Sequence, residues 1–211
     1  MDEHLEAVAA ATPGFLPHDE AMALHRAALE GAAVGPVLEV GSYCGRSTVW
    51  LGAAAREAST VCVTVDHHRG SEELQPGWDH HDPAVVDPRT GRIDTLPFLR
   101  RTLEEAGLEA AVVVVVGEST AVAAHWATPL GMVFIDGGHG AAPAHADYDA
   151  WAGHVAEQGL LAIHDVFADP ADGGRPPYEV YCRARASGAF VEVTHLGCGS
   201  LRVLRRVAAG W

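Results

Sequence analysis

Three groups of residues in this chain have the types and the spacing for chemistry. The first is Val37-Leu38-Glu39-Val40-Gly41-Ser42-Tyr43-Cys44-Gly45-Arg46-Ser47-Thr48, an apolar run that ends at a glycine, meets a second glycine and then opens on a hydroxyl pair. A strand, a tight turn and a helix N-terminus in that order can cradle a nucleotide, because Gly41 permits positive φ and close approach while the free N–H groups of the helix face the same crevice. A plain βα connection has the same appearance. The second is Asp66, at the end of the next apolar run, where doubly wound folds bind ribose hydroxyls and where a simple loop acid also occurs. The third is Asp136-Gly137-Gly138-His139 together with His164-Asp165, each following an apolar run. Two aspartates at the ends of neighbouring strands offer hard oxygen ligands suited to Mg²⁺, and a neutral imidazole can accept a proton near physiological pH. The bland reading makes Asp136 a helix cap and His139 a solvated loop residue.

Composition narrows the choices. The chain has 211 residues, 48% of them hydrophobic, which suits one α/β domain with a buried sheet. A formal charge of -14 opposes binding to a nucleic-acid backbone. Every basic side chain is an arginine, so Schiff-base chemistry, a P-loop lysine and a lysine general base are excluded, and the 13 histidines supply the candidate bases. No stretch approaches the roughly 20 apolar residues of a membrane span, and Met1-Asp2-Glu3-His4 lacks the basic region of a signal peptide, so no membrane association and a cytoplasmic location are expected. Cys44, Cys62, Cys182 and Cys198 are too scattered for a zinc ribbon or a disulfide framework and read as free thiols.

The elements that must position the chemistry follow from pattern. Residues 1–34 form an N-terminal cap with a turn at Thr12-Pro13-Gly14 and an alanine-rich helix from Asp19 to about Glu30; residues 35–211 form the main domain. Strands are expected at Val37 to Val40, Thr60 to Val65, Ala111 to Val116, Met132 to Ile135 and Leu160 to Ile163, alternating with helices from Ser47, Leu96, Pro143 and Tyr178. The valine run from 111 to 116 reads as a strand buried on both faces, and the helix from Pro143 is expected to include Val155 and to close at Gly159. Two final runs, Phe190 to Thr194 and Ser200 to Leu204, follow each other too closely for a crossover and predict an antiparallel hairpin. From His67 to Asp94 the pattern vanishes into turn residues, which reads as a loop over the site carrying Trp78; His80-His81-Asp82 spells an iron-type H-x-D but lacks the surrounding strands. Ser119 is either a helix cap or an adenine contact. His125, His145, His154 and His195 fit no constellation, and Trp78, Tyr178 and Tyr181 either stack on an acceptor ring or pack in the core. Tyr43 stands where the dinucleotide fingerprint needs a glycine, which disfavours NAD.

Five βα units and a terminal hairpin, with E-V-G-S-x-x-G-R-S after the first strand, an acid after the second and D-G-G-H after the fourth, resemble the class I S-adenosylmethionine-dependent methyltransferases over nearly the whole chain. D-G-G-H and H-D-V-F together look like the metal-dependent sugar O-methyltransferases, including the macrolide-sugar enzymes and the mycobacterial methylmannose polysaccharide enzyme. The segments Asp66 to Glu73 and Asp169 to Gly174 look like the latter.

The resemblance implies a Rossmann-like, mostly parallel seven-stranded sheet finished by an antiparallel hairpin. It implies S-adenosylmethionine held by Glu39, Gly41, Ser42, Asp66, Ser119 and Asp136, a Mg²⁺ or similar ion on Asp136 and Asp165, and His139 as base. Macrolide-sugar enzymes carry an acid where this chain has His164, so either His164 is a third ligand or water fills that place. The expected acceptor is a sugar hydroxyl, a mannoside or methylated mannose oligosaccharide, and the expected assembly is a homodimer. A phenolic or other small natural-product acceptor is the first alternative; an NAD-dependent oxidoreductase or a non-catalytic cofactor-binding subunit is the second.

Overall fold

The computed structural model describes residues 1–78, 80–169 and 171–208; Pro170, in one of the segments that carries the family resemblance, lies outside the described residues. In chain order the main elements are α1 (Glu3–Ala11), α2 (His18–Ala32), β1 (Val37–Val40), α3 (Arg46–Glu57), β2 (Cys62–Asp66), β3 (Val86–Asp87), β4 (Arg92–Ile93), α4 (Leu96–Glu105), β5 (Val112–Val116), α5 (Ser119–Ala123), β6 (Leu130–Ile135), α6 (Ala141–Trp151), β7 (Val155–Ile163), α7 (Arg175–Ala186), β8 (Phe190–Glu192) and β9 (Arg202–Arg206). Seven strands form one sheet in the order β5-β2-β1-β6-β7-β9-β8. The first five run parallel, while β9 is antiparallel to both β7 and β8. The chain builds outward from β1 to β5, crosses back, and builds the other half from β6. A topological switch point therefore falls between β1 and β6, and the crevice at their carboxyl ends is where such sheets bind ligands.

Strand alternation divides the core into two layers. Val37, Cys62, Met132, Phe134, Leu160 and Val203 face α1 to α4, whereas Leu38, Val40, Val63, Val133, Ile135, Leu161 and Leu204 face α6 and α7. The N-terminal helices belong to the first layer: Leu5, Leu24, Ala27 and Ala28 are buried in it, beneath the same sheet that carries the site residues. Helix α1 starts at Asp2, whose side chain accepts from the Leu5 N–H, a cap not apparent in the sequence reading.

Three expectations about elements need correction. The valine run forms β5, which among the described residues is an edge strand paired only with β2, and Val113 and Val116 are 48% and 55% exposed rather than buried on both faces. Helix α6 ends at Trp151, and Val155 already begins β7, so Gly159 lies inside a strand. The segment from 67 to 94 is not structureless: it holds short 3₁₀ turns at Glu72–Leu74 and Pro83–Val85 and the β3–β4 hairpin. The four cysteines are free. No helix among the described residues is long and apolar enough to cross a membrane.

Candidate active site

The carboxyl ends of β1, β2, β6 and β7 open into one cavity of about 630 Å³, within the usual range for small-molecule sites. Its two ends are built differently.

At one end β1 gives way to the glycine turn. Gly41 has φ 89°, and a Cβ there would overlap the carbonyl oxygen of Asp136, so the main chains of β1 and β6 touch at the switch point. Asp66 secures the turn: one carboxylate oxygen accepts from the N–H groups of Ser42 (3.0 Å) and Tyr43 (2.9 Å), the other from the N–H of His68 (2.7 Å). The acid expected to hold ribose hydroxyls lines the cavity but is already engaged with main chain on both oxygens. Ser42 also lines the cavity, with a buried hydroxyl that has no hydrogen-bond partner among the described residues.

Glu39 is a correction. It is 0% exposed and faces the α3 layer, where it accepts hydrogen bonds from Ser47 (2.5 Å) and Thr48 (2.6 Å) at the start of that helix; it does not line the cavity. Strand parity explains this, since Val37 and Glu39 point to the same side. Burial without a cation raises its pKa to about 7, only partly offset by the hydroxyls of Ser47, Thr48 and Thr64.

Ser119 opens α5 at the cavity, but the capping position belongs to Glu118. Its hydroxyl accepts from the Trp151 indole N–H at 2.7 Å and bonds Asp147, a buried cavity residue that sequence reasoning missed. Burial pushes the Asp147 carboxyl up to about 6. Gly137 makes room for it, because a Cβ at that glycine would stand 2.8 Å from the Asp147 carboxylate.

At the other end, Asp136 and His139 follow β6 and Asp165 follows β7, held at φ 54°. Donor atoms of these three residues all lie within 4.8 Å of one another. His139 Nε2 is buried, 3.1 Å from Asp165 Oδ2 but outside hydrogen-bond geometry, and has no hydrogen-bond partner among the described residues. The His139 main-chain N–H donates to Glu73 at 3.2 Å, and the same oxygen lies 3.5 Å from Nδ1. Burial, the largest influence, pulls the imidazole pKa down, but Asp165, Asp136 and Glu73 outweigh it and leave it raised. Asp165 moves the opposite way: burial would raise it, and the imidazoles of His139 (3.1 Å) and His164 (3.4 Å) beside it hold it far below the usual carboxylate range.

His164 does not join the converging donors. It is 4% exposed, with Nδ1 3.1 Å from Asp136 and 3.4 Å from Asp165, and Nε2 2.8 Å from Glu20 on α2. Carboxylates occupy both ring nitrogens, so a lone pair for a metal is not available in this arrangement. Glu20 also accepts from the main-chain N–H (2.9 Å) and hydroxyl (3.0 Å) of Ser200, and Gly199 at φ 52° leaves space that any Cβ would take from the Glu20 carboxylate. Of the two expectations for this place, His164 as a third ligand is not met: Glu20, from α2, holds its second ring nitrogen.

These features fit two kinds of ligand. The Asp136 and Asp165 carboxylates fit a hard divalent cation, with the His139 imidazole beside them. The glycine turn and the unbonded Ser42 hydroxyl fit a nucleoside-bearing ligand beside it.

A family described as a methyltransferase domain matches residues 38–166. Among solved structures, cofactor-bound Rv0187 from MTB is 19% identical, with 98% of this chain and 90% of that one covered, at a TM-score of 0.66. The O-methyltransferase TomG from Streptomyces achromogenes, involved in tomaymycin synthesis and solved with SAM, is 18% identical over 99% and 91%, at 0.62. An O-methyltransferase from Bacillus cereus in complex with SAH is 18% identical over 99% and 92%, also at 0.62. At these identities the likeness establishes the fold: a Rossmann-like sheet with C-terminal antiparallel strands.

Proposed function

Since the chain belongs to the methyltransferase-domain family, we propose that it is an S-adenosylmethionine-dependent O-methyltransferase acting on a hydroxyl of a small molecule. The observation that carries the reading is the convergence of Asp136, His139 and Asp165 across the crevice from the glycine turn, with His139 Nε2 unbonded. Methyl transfer from a sulfonium is an in-line displacement: the acceptor oxygen forms a bond to the methyl carbon, the sulfur leaves with the bonding pair, and one proton must go elsewhere. His139 takes that proton on Nε2. Gly41 and Ser42 hold the donor's end of the line, and Asp136 sits where the two halves meet.

Asp136 and Asp165 are the residues that would hold a divalent cation, which would lower the pKa of a hydroxyl bound beside it. The deeply ionised state of Asp165 suits that task. His164, held in turn by Glu20, contacts both carboxylates from behind.

For the acceptor, the support favours a phenolic or other small natural-product hydroxyl; the role of TomG in tomaymycin synthesis is of this kind. A sugar hydroxyl rests on the resemblance of the D-G-G-H and H-D-V-F motifs, and a mannoside in particular on that of the segments Asp66 to Glu73 and Asp169 to Gly174. A methyl-transfer assay over catechols, simple phenols and methyl glycosides, each with Mg²⁺ and with chelator, tests both levels. Transfer to one class, abolished by chelator and restored by Mg²⁺, is expected. Failure to bind S-adenosylmethionine in calorimetry sinks the methyltransferase reading, and full turnover in chelator removes the cation.

A further inference from the structure

Asp147 lines the cavity, yet the methyl-transfer chemistry gives it no task. It stands on α6 at 6% exposure, and its carboxylate reaches a recess shared with Gly137 after β6, His67 after β2 and Ser119 after β5. The recess is built. The Trp151 indole N–H donates to the Ser119 hydroxyl at 2.7 Å, which leaves the one hydroxyl hydrogen for Asp147. Trp126 packs edge-on against Trp151, with the ring centroids 5.7 Å apart, and braces that donor from outside. Ser119 is the hydrogen-bond partner that acts on the carboxylate, and the charges that act on it are those of Glu118 and His67, which oppose each other. A carboxylate has places for about four hydrogen bonds, so most of its accepting capacity is unused. Burial in that condition is costly, and an N–H group brought by a ligand offsets the cost.

Charge sorts the two ends of the cofactor. Arg46 is the one arginine lining the cavity among the described residues. It stands in the first turn of α3, where it donates to the carbonyls of Thr12 (2.9 Å) and Leu16 (3.5 Å). That helix belongs to the layer opposite α6. A guanidinium and the free N–H groups of a helix suit the carboxylate of the amino-acid end. The sulfonium has to face the Asp136–His139–Asp165 end for transfer to occur. What remains for the recess on the α6 side is the purine, a flat group with an amino group to donate.

We propose that Asp147 is the residue that selects adenine, accepting a hydrogen bond from the 6-amino group of the cofactor's purine, an inference that rests on the chain binding S-adenosylmethionine. A site built to hydrogen-bond an amino group rejects the analogue that lacks it, because the buried acceptor is then left unpaired.

Calorimetry with S-adenosylhomocysteine, and with its analogue bearing hydrogen in place of the 6-amino group, reads this selection without an acceptor and without turnover. The wild type is expected to bind the analogue about thirtyfold more weakly. In Asp147→Leu, which fills the space without an acceptor, the two ligands should bind within about threefold of each other. Asp147→Asn keeps a carbonyl oxygen and should keep most of the preference. General damage to the cavity weakens both ligands alike, so their ratio isolates the amino group. The carboxyl ¹³C resonance of Asp147 in the wild type needs no variant: it should move further with S-adenosylhomocysteine than with the analogue. Equal affinity of the wild type for the two ligands overturns the proposal, as does an undiminished preference in Asp147→Leu or an Asp147 resonance that responds equally to both. A discrimination against the 2′-deoxy analogue that disappears in Asp147→Leu, with the 6-amino preference intact, assigns Asp147 to the ribose and also overturns it. No binding of S-adenosylhomocysteine by the wild type overturns the methyltransferase reading itself, an outcome distinct from these.

Discussion

Two carboxylates on either side of β6 are driven in opposite directions. Glu39 on β1 has only hydroxyl partners, and burial raises its pKa to about 7. Asp165 after β7 is flanked by two imidazoles, which outweigh burial and hold it far below the ordinary range. Environments that separate acids in this way also separate their tasks. The carboxylates of the glycine-turn end are engaged by their own chain: Glu39 with Ser47 and Thr48, Asp66 with three N–H groups. It is a finished scaffold whose contribution is shape. The Asp136–His139–Asp165 end keeps an unbonded imidazole nitrogen and concentrates ionised groups. Its contribution is reactivity.

Breaking the reactive end should have the largest effect. Asp165→Asn is expected to lower turnover by about 10³ or more, since it removes a carboxylate of the proposed cation site and the charge beside His139, while S-adenosylmethionine affinity in calorimetry stays within a fewfold. An equal loss of cofactor affinity would show that the two ends do not function separately. Gly41→Ala should come next, and it should damage both ends. A methyl at φ 89° against the Asp136 carbonyl costs about 3–4 kcal/mol, read as a lower melting temperature together with weakened cofactor binding. Retained wild-type stability would mean that the two main chains can part.

The smallest effect belongs to Glu39. Its folded pKa lies above that of the unfolded chain, so the native state holds the extra proton. Its contribution is most favourable below pH about 4.5 and is lost as pH rises toward about 7. Glu39→Gln removes that dependence, and the wild type should lose on the order of 2–3 kcal/mol more than the variant across this window. Parallel melting curves for the two proteins would show that Glu39 is not a neutral, buried acid.

What the sequence displayed was what neighbouring residues encode. The strand–glycine–helix order, the valine and isoleucine runs and the closely spaced last two strands determined the fold class, and D-G-G-H announced the reactive end. Glu39 was misplaced because its proximity to Gly41 suggested the cavity, whereas strand parity and the Ser47-Thr48 pair pointed it under α3. Glu20 and His164 are 144 residues apart, and Glu73 and His139 are 66 apart. No local spacing relates such pairs; only the docking of α2 beneath the sheet and the folding of the 67–74 stretch bring them together. His164 looked like a metal ligand for the same reason, since the residue that claims its Nε2 lies on another element.

The contact between Gly41 and Asp136 has a meaning for how such a protein diversifies. Where two main chains touch with no side chain between them, the gap from the donor pocket to the acceptor pocket is a property of the sheet and does not depend on rotamers. Displacement chemistry tolerates little error in that gap. Substitutions in the 67–94 segment, or in the stretch after Asp165, can therefore reshape what is methylated while the reach of the methyl group stays the same. New substrates can be explored by changing walls, with the gauge between the reacting atoms left as it was.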